Sequence, residues 1–358
     1  MPSASVIVPA RDARATLPRA LRALTAQRFA GDYEVIVVDD GSRDGTADLA
    51  RRGAREGSNL ANLANLPNLP NLPNVTLIEQ PARGPATARN AGVARARGEV
   101  LAFCDADVFV AEGWLQAGVD ALRTADLVQG RVLPDPEAQL GPFDRTLWVT
   151  SQVGLWETAN LFVTRPMFDA AGGFQEWLRP RRGKALAEDV WFGYRALRAG
   201  ARPAFCPGAL AHHAVFRRSW SAYAAERARL RFFPAMAARM PELRTAFLYR
   251  QLFLNCRSAR FDLACAAGLA ALARRSPLPL LAAAPYARTV HAHAQRVPPG
   301  PGAPAIPAGS AIPAGPAIPA GPAGSLRVAG VAAADVLADA VGCAALIAGS
   351  ARYRSLVL

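Results

Sequence analysis

Residues 35–46 read Val-Ile-Val-Val-Asp-Asp-Gly-Ser-Arg-Asp-Gly-Thr, and this stretch decides the fold class. The run from Tyr33 to Val38 is largely apolar and rich in β-branched residues, which predicts a buried strand. The run ends at Asp39-Asp40-Gly41, and Gly45-Thr46 opens a helix-like stretch. A buried strand, a turn and a helix in this order are typical of a parallel sheet covered by helices, and such sheets bind ligands beyond the carboxyl ends of their strands.

The same alternation extends to both sides of this stretch. Short apolar runs at 5–8, 75–79 and 98–104 predict further strands, with helical patterns between them. The sequence therefore predicts an α/β domain with a mainly parallel sheet over residues 1–218. Residues 59–74 interrupt the pattern with Asn-Leu-x triplets, whose repeated prolines predict a low-complexity loop insert.

Acidic pairs follow two of the predicted strands. Asp39 and Asp40 end one strand, and Asp105 and Asp107 end another. Carboxylates gathered at one sheet edge repel each other unless something compensates their charge. Mg²⁺ and Mn²⁺ bind carboxylate oxygens together with substrate phosphates. The pattern predicts a divalent metal and a phosphate-bearing ligand, although a lone Asp-x-Asp also occurs as an ordinary turn after a strand.

Four motifs resemble those of the family 2 glycosyltransferases. They are Val6-Ile-Val-Pro-Ala-Arg11, the stretch at 35–46, Gly84-Pro-Ala-Thr-Ala-Arg-Asn-Ala-Gly92 and Gly98-Glu-Val-Leu-Ala-Phe-Cys-Asp-Ala-Asp107. The resemblance covers about residues 3–215. It implies the GT-A fold, a nucleotide-diphospho-sugar donor, a Mn²⁺ or Mg²⁺ cofactor, and transfer to a hydroxyl acceptor, usually with inversion. The Gln-x-x-Arg-Trp motif of processive synthases does not follow Glu188-Asp189, which favours transfer of a single sugar.

The resemblance also implies a donor site. Asp39 is expected to contact the nucleobase, Asp105 the ribose and the metal side, and Asp107 the metal. An arginine beside a diphosphate, here Arg89, also agrees with charge pairing. The full set of expected nucleotide-sugar contacts is Pro9, Ala10, Arg11, Asp39, Asp40, Arg89, Asn90 and Asp105.

The Glu188-Asp189 pair opens a second predicted helix. Acidic residues at a helix N-terminus stabilise it through the helix dipole, which is one interpretation. The resemblance implies another, in which Asp189 is the catalytic base that accepts the proton of the acceptor hydroxyl. His212 and His213 follow, and strand alternation would point only one of them at the metal, for which we favour His213. The acceptor-binding candidates are Trp156, Glu157, Asn160 and Glu188.

The C-terminal half carries much of the positive charge. The chain has 41 Lys+Arg and 28 Asp+Glu, a net charge of +13, and only Lys184 is a lysine. Residues 219–294 form a basic helical region with apolar segments at 261–273 and 277–287, and a third lies at 336–348. The longest uninterrupted apolar run is 11 residues, whereas a spanning helix needs roughly 20. This excludes a polytopic membrane protein and predicts that each segment is too short to span.

Two interpretations of the basic region stay open. It docks on an anionic membrane surface near a lipid-linked acceptor, or it packs as a helical region on the sheet with solvated arginines. Repeats of Ala-Ile-Pro-Ala-Gly predict a linker at 295–325, followed by a helical segment at 326–358.

Other features of the sequence limit the expected cellular location and the class of protein. No apolar leader precedes the first strand, and the five cysteines form no Cys-x-x-Cys pair, which predicts a cytoplasmic protein, at most peripheral on the cytoplasmic face of the membrane. No nucleic-acid recognition motif accompanies the positive charge, so nucleic acid is not an expected partner. A nucleotidyltransferase of related fold and a non-catalytic, membrane-associated protein remain as alternatives.

Overall fold

The computed structural model describes residues 3–55, 74–180, 185–295 and 322–358. The chain forms two compact units. The first comprises Met1–Asp135 and Thr146–Ala214, and the second comprises Pro136–Arg145 and Val215–Leu358. The predicted loop insert at 59–74 and the predicted linker at 295–325 lie largely outside the described residues.

The first unit is built on one eight-stranded sheet. In chain order its strands are β1 (Ala4–Ala10), β2 (Tyr33–Asp40), β3 (Asn74–Gln80), β4 (Val100–Phe103), β5 (Val108–Val110), β6 (Leu127–Pro134), β7 (Leu161–Thr164) and β8 (Pro203–His213). Their order across the sheet is β3-β2-β1-β4-β7-β6-β8-β5. Strands β3, β2, β1 and β4 run parallel, whereas β7 pairs antiparallel with β4 and β6, and β5 antiparallel with β8. The predicted mainly parallel α/β sheet is confirmed.

Helices cover the sheet of the first unit. They are α1 (Leu17–Thr25), α2 (Thr46–Arg55), α3 (Pro85–Arg95), α4 (Trp114–Ala121), α5 (Arg165–Ala170) and α6 (Glu188–Arg198), with a 3₁₀ turn at Thr158–Asn160. Successive residues of β1 face opposite cores: Val6 and Val8 pack in the cluster that contains Leu17 of α1, whereas Ile7 packs in the cluster that contains Phe192 of α6. A strand buried on both faces explains the continuous apolar run of β1.

Helix α3 lies unusually close to the sheet. A Cβ atom at Gly92 would fall 2.5 Å from Cγ2 of Ile7 and 3.3 Å from Cγ2 of Val38. Only glycine therefore allows this approach. Arg89 lies on the same helix, three residues earlier, so the contact at Gly92 fixes the position of Arg89 over the sheet edge.

The second unit is helical in its described part. Its helices are α7 (Trp220–Glu226), α8 (Phe233–Arg239), α9 (Leu243–Ala246), α10 (Cys256–Arg274), α11 (Ala284–Gln295) and α12 (Pro322–Tyr353), with 3₁₀ helices at Arg227–Phe232 and Leu278–Ala283. A capping box begins α10, because the side chain of Asn255 accepts from the Ser258 backbone while the Ser258 hydroxyl accepts from the Asn255 backbone.

The last apolar segment lies within α12, whose extent is close to that of the helical segment predicted at 326–358. Ser325–Tyr353 is 29 residues long and contains an 18-residue window with a mean hydropathy of 1.9, which is enough to cross a membrane by length and composition. The prediction that the segment at 336–348 is too short to span is therefore wrong for the helix that contains it. The core helix of a soluble protein passes the same test, and Asp335 of α12 is fully buried, where it accepts a hydrogen bond from Tyr223 at 3.1 Å.

Candidate active site

Asp40, at the end of β2, holds the loop between β3 and α3. Its carboxylate accepts hydrogen bonds from the backbone N–H groups of Arg83 and Gly84, at 2.7 and 2.9 Å, and from the Gln80 amide at 2.8 Å. Arg11 lies 3.7 Å from the same carboxylate. These partners occupy the oxygens of Asp40 and give it a structural role, and its predicted contact with the donor stays a prediction.

Asp39 differs from its neighbour. One of its oxygens accepts from the Ser42 backbone at 3.1 Å. The other, Oδ1, is buried and has no hydrogen-bond partner among the described residues. Buried polar atoms are nearly always bonded, so this oxygen is suited to an N–H group of a ligand. Ala10 is the register partner of Asp39 on β1, and Pro9 precedes it.

Arg89 connects two carboxylates. It is only 5% exposed, and it donates to Asp105 at 2.8 Å and to Glu188 at 3.0 Å. Burial disfavours its charge, but Asp105 and Glu188 outweigh burial, so the pKa of Arg89 is raised. Both terminal nitrogens are bonded to protein carboxylates, and the predicted contact of Arg89 with the nucleotide stays a prediction. Its role is to position the turn after β4 against the start of α6.

Asp107 and His213 come together at the far end of the sheet. Val108 of β5 pairs with His213 of β8, and the Ala214 N–H donates to the Asp107 carbonyl at 2.9 Å. His213 Nε2 then lies 3.6 Å from Asp107 Oδ2. His212 points elsewhere, since its Nδ1 lies 3.2 Å from the Pro134 carbonyl. Strand alternation separates the two histidines in this way.

The two side chains fit a divalent metal ion. His213 Nδ1 lies 2.7 Å from the Ala214 carbonyl, and a carbonyl only accepts, so Nδ1 carries the proton and Nε2 is left as the ligand atom. An imidazole nitrogen and a carboxylate oxygen suit Mn²⁺. In the described part of the chain, no group of three or more His, Cys, Asp or Glu residues is placed to hold an ion. Such a site needs phosphate oxygens of a ligand to complete it.

Carboxylates gather at the start of α6. The pKa of Asp189 is raised well above its ordinary value by burial and by the negative charge of Glu188, against the opposing effect of Arg89. The Val190 N–H donates to Asp189 Oδ1 at 2.8 Å. Burial raises the pKa of Glu157 to about 7, and its charge contributes to the high pKa of Asp189. Groups with pKa values displaced in this way are typical of acid–base sites.

Two predicted acceptor residues belong to the core instead. Trp156 is 1% exposed, and a Cβ on Gly193 of α6 would lie 2.1 Å from its ring. Asn160 is fully buried; it accepts from the Trp114 indole at 2.8 Å and donates to the carbonyls of Arg131 and Ala209, both at 2.8 Å. Both side chains pack in the core. Trp156 Nε1 has no hydrogen-bond partner among the described residues, and the predicted contacts of Trp156 and Asn160 with an acceptor stay predictions.

Asn90 likewise holds a loop in place. Its amide donates to the Phe174 carbonyl at 2.7 Å and accepts from the Phe174 N–H at 2.9 Å. This two-way bond fixes the segment that follows Gly172 and Gly173, both of which have positive φ. Asn90 thus positions this segment, and its predicted contact with the nucleotide stays a prediction.

Glu176 is a buried polar residue that was not among the predicted site residues. Its Oε1 is buried without a partner among the described residues, and it lies 2.8 Å from where a Cβ of Gly84 would be, at the start of α3. The only local signal was Gly84 itself, a glycine directly before a predicted helix.

The fold and the site together define a GT-A glycosyltransferase. The family model described as Glycosyl transferase family 2 matches residues 5–221, and the chain therefore belongs to this family. The prediction of the family is confirmed.

Relatives and solved structures agree with this assignment. The chain is 31% identical over 189 residues to Glycosyltransferase AglE of Haloferax volcanii, covering 50% of this chain and 58% of that protein. It is 36% identical over 107 residues to the undecaprenyl-phosphate 4-deoxy-4-formamido-L-arabinose transferase of Pseudomonas fluorescens, covering 29% of this chain and 27% of that one. The chain thus spans less than two thirds of the length of either relative.

One solved structure resembles nearly the whole chain in fold. It is the mannosyltransferase PcManGT from Pyrobaculum calidifontis in complex with GDP-Man and Mn²⁺. The TM-score is 0.54 at 21% identity, and the match covers 99% of this chain and 87% of that one. The predicted GT-A fold is confirmed.

Proposed function

We propose that this protein transfers one sugar from a nucleotide-diphospho-sugar to a hydroxyl acceptor, with inversion and with Mn²⁺ or Mg²⁺ as cofactor. The observation that carries the proposal is the pair of bonds from Arg89 to Asp105 and Glu188, at 2.8 and 3.0 Å. They link the Asp-x-Asp turn, on the donor side, to the start of α6, which carries the proposed base Asp189.

The donor nucleotide is proposed to lie over the ends of β1 and β2. The unpartnered Oδ1 of Asp39 supports this, because it can accept an N–H group from the nucleobase edge. The backbone at Pro9 and Ala10 would line the same pocket, and Arg11, which is partly exposed beside Asp40, would contact the donor from the rim.

Asp107 and His213 are the proposed metal ligands, with Asp105 beside them. A bound divalent ion supplies positive charge that stabilises the leaving nucleoside diphosphate. The protein's own contribution is to hold His213 in the tautomer that presents Nε2, through the bond from Nδ1 to the Ala214 carbonyl.

Asp189 is the proposed general base. In an inverting transfer the acceptor oxygen forms a bond to the anomeric carbon as the bond from that carbon to the diphosphate breaks. The acceptor's proton passes to a carboxylate oxygen of Asp189. Burial and Glu188 raise the pKa of Asp189, which makes its ionised form a stronger base. Glu188 and Glu157 flank the proposed acceptor site.

A lipid-linked acceptor on the cytoplasmic membrane face is the proposed setting. The relative from Pseudomonas fluorescens is named for transfer involving undecaprenyl phosphate. Leu272, Leu278 and Leu281 of the second unit are 78%, 72% and 74% exposed, and Arg274 and Arg275 lie between them in sequence. Exposed leucines beside arginines suit an anionic lipid surface. Flotation with anionic vesicles tests this, and equal flotation with neutral vesicles would contradict it.

Thermal-shift measurements with nucleotide sugars test the donor site. We expect UDP- or GDP-sugars to raise the melting temperature in the presence of Mn²⁺ and to do so much less in EDTA. The Asp107→Asn variant should lose the Mn²⁺-dependent part, whereas Asp169→Asn, which alters an exposed carboxylate on α5, should keep it. A Mn²⁺-dependent shift that is unchanged in Asp107→Asn would refute the metal assignment.

A further inference from the structure

The second unit contains a cavity between α10 and α11. Its volume is about 460 Å³, which lies within the range of small-molecule sites. The lining includes Arg257 and Arg260 from α10, and Arg288, Thr289 and His293 from α11. We propose that this cavity is a binding site for a phosphate group, separate from the transferase site and independent of it.

One of the three arginines is neutralised within the protein. Arg257 lies with Nε 2.8 Å from Asp339 and with a terminal nitrogen 3.2 Å from Asp335, both on α12. Its side chain is 22% exposed. The two aspartates fix Arg257 as part of the wall, and its positive charge is balanced there.

The other two arginines are not balanced. Arg260 donates to the Thr289 hydroxyl at 2.8 Å, and among the described residues neither Arg260 nor Arg288 forms an ion pair with a carboxylate. Two positive charges therefore face the cavity without a protein counterion. Guanidinium groups bind phosphate oxygens through paired N–H donors, so a phosphate is the ligand that this charge and geometry favour.

The walls of the cavity are held before any ligand binds. The rings of Phe261 and Tyr286 meet edge to face at 5.3 Å. The Tyr286 hydroxyl donates to Asp339 at 2.8 Å, and His293 Nδ1 lies 2.6 Å from Asp335. The ring contact joins α10 to α11, and the two contacts with the aspartates join α11 to α12. The bond between Arg260 and Thr289 is a second link between α10 and α11. A preformed site loses less free energy to ordering when a ligand binds.

The phosphate could belong to a lipid headgroup or to a soluble phosphate compound, and both have the chemistry that the cavity selects. Calorimetric titration of the full chain with inorganic pyrophosphate in EDTA tests the shared claim. We expect binding that Arg260→Gln/Arg288→Gln weakens at least tenfold. Arg274→Gln, an exposed change on the same helix, should weaken it less than twofold, and Asp107→Asn should leave it unchanged.

Binding that the Arg260→Gln/Arg288→Gln variant retains, or the absence of any binding, overturns the proposal. Arg288→Gln alone guards against a folding artefact, because this exposed side chain has no hydrogen bond or ion pair within the described residues; we expect a several-fold loss with an unchanged melting temperature. Loss of binding in Asp107→Asn would mean that pyrophosphate binds at the transferase site, and this would also overturn the proposal.

Vesicles distinguish the two sources of phosphate. Phosphatidylcholine vesicles that contain phosphatidic acid are compared with vesicles that contain the same amount of phosphatidylserine. Binding to phosphatidic acid that the Arg260→Gln/Arg288→Gln variant loses, with phosphatidylserine binding unaffected, identifies a lipid phosphate. Pyrophosphate binding without a preference for phosphatidic acid identifies a soluble ligand. Equal vesicle binding by the wild type and the double variant, together with no pyrophosphate binding, refutes both.

Discussion

Arg89 donates a hydrogen bond to Glu188 at 3.0 Å, between side chains that are both almost fully buried and 99 residues apart in sequence. The bond joins α3 to the start of α6. Through its second bond, to Asp105, the same guanidinium reaches the turn after β4. A single side chain thus sets the spacing between the proposed donor-binding and proton-accepting groups.

Removal of this charge should destabilise the first unit strongly. Arg89→Met leaves Glu188 buried without its partner, and breaking one side of a buried ion pair costs about 3–5 kcal/mol. Denaturant unfolding should show a loss of this size. Arg89→Met/Glu188→Gln should recover part of it, because no unpaired buried charge remains at Glu188. Equal stability of Arg89→Met and the wild type would mean that the pair is not buried as described.

Substitutions at Asp39 and Asp40 should affect different properties: nucleotide binding for Asp39 and stability for Asp40. Asp40→Asn replaces a carboxylate that receives two backbone N–H groups, and we expect a loss of about 1–3 kcal/mol in unfolding free energy. Asp39→Ala removes Oδ1, which has no partner among the described residues, together with the single bond from the Ser42 N–H at 3.1 Å. Calorimetry should then show nucleotide binding weakened about tenfold or more, with a smaller loss of stability than Asp40→Asn causes. If Asp40→Asn weakened nucleotide binding and Asp39→Ala caused the larger loss of stability, the two assignments would be wrong.

The two adjacent histidines should differ in their effect on metal binding. His213 faces Asp107 at 3.6 Å, whereas His212 is directed to the Pro134 carbonyl. In a Mn²⁺ titration with UDP or GDP present, His213→Ala should weaken metal binding about tenfold to a hundredfold, which is typical for loss of one ligand or its support. His212→Ala should leave the affinity within about twofold. Equal losses would contradict the assignment.

The raised pKa of Glu157 should make the stability of the protein depend on pH. Its pKa is raised from 4.5 to about 7 in the folded protein, so the folded state binds the proton more tightly than the unfolded state. The stabilisation is complete below the unfolded pKa and is lost as the pH rises through about 7. Glu157→Gln should flatten this decline, by about 1–3 kcal/mol. Glu112→Gln, at an exposed ion pair, serves as the control and should keep the decline.

The same substitution should also move the pH dependence of activity. Because the Glu157 charge raises the pKa of Asp189, Glu157→Gln should shift the acid limb of the rate profile to lower pH. An unchanged limb would mean that Glu157 does not influence the group that limits the rate at low pH.

The strands, their order along the chain and the acidic residues at their ends could be predicted from the sequence. Asp39, Asp105 and Asp107 follow buried runs directly, and a strand followed by a polar turn is a local pattern. Strand alternation also predicted that only one of the two adjacent histidines faces the proposed metal site, and the structure places His213 beside Asp107.

The roles of Asp40, Asn90, Trp156 and Asn160 could not be predicted in this way. What distinguishes a ligand-binding side chain from a structural one is whether its polar atoms are already bonded, and the partners of Asp40 are 40–44 positions away in sequence. The helical segment at 326–358 was predicted, but the apolar character of α12 before residue 336 was missed for a related reason. Asp335 breaks the apolar pattern locally, but partners from other helices satisfy it.

The measurement that tests the central claim most directly compares sugar transfer and donor binding in Asp189→Asn. The account predicts that transfer from the nucleotide sugar falls about 10²–10⁴-fold, as expected for loss of a general base, while Mn²⁺-dependent donor affinity stays within about twofold. Asp169→Asn should retain both properties. Full transfer activity in Asp189→Asn, with donor binding intact, would contradict the assignment of Asp189 as the catalytic base.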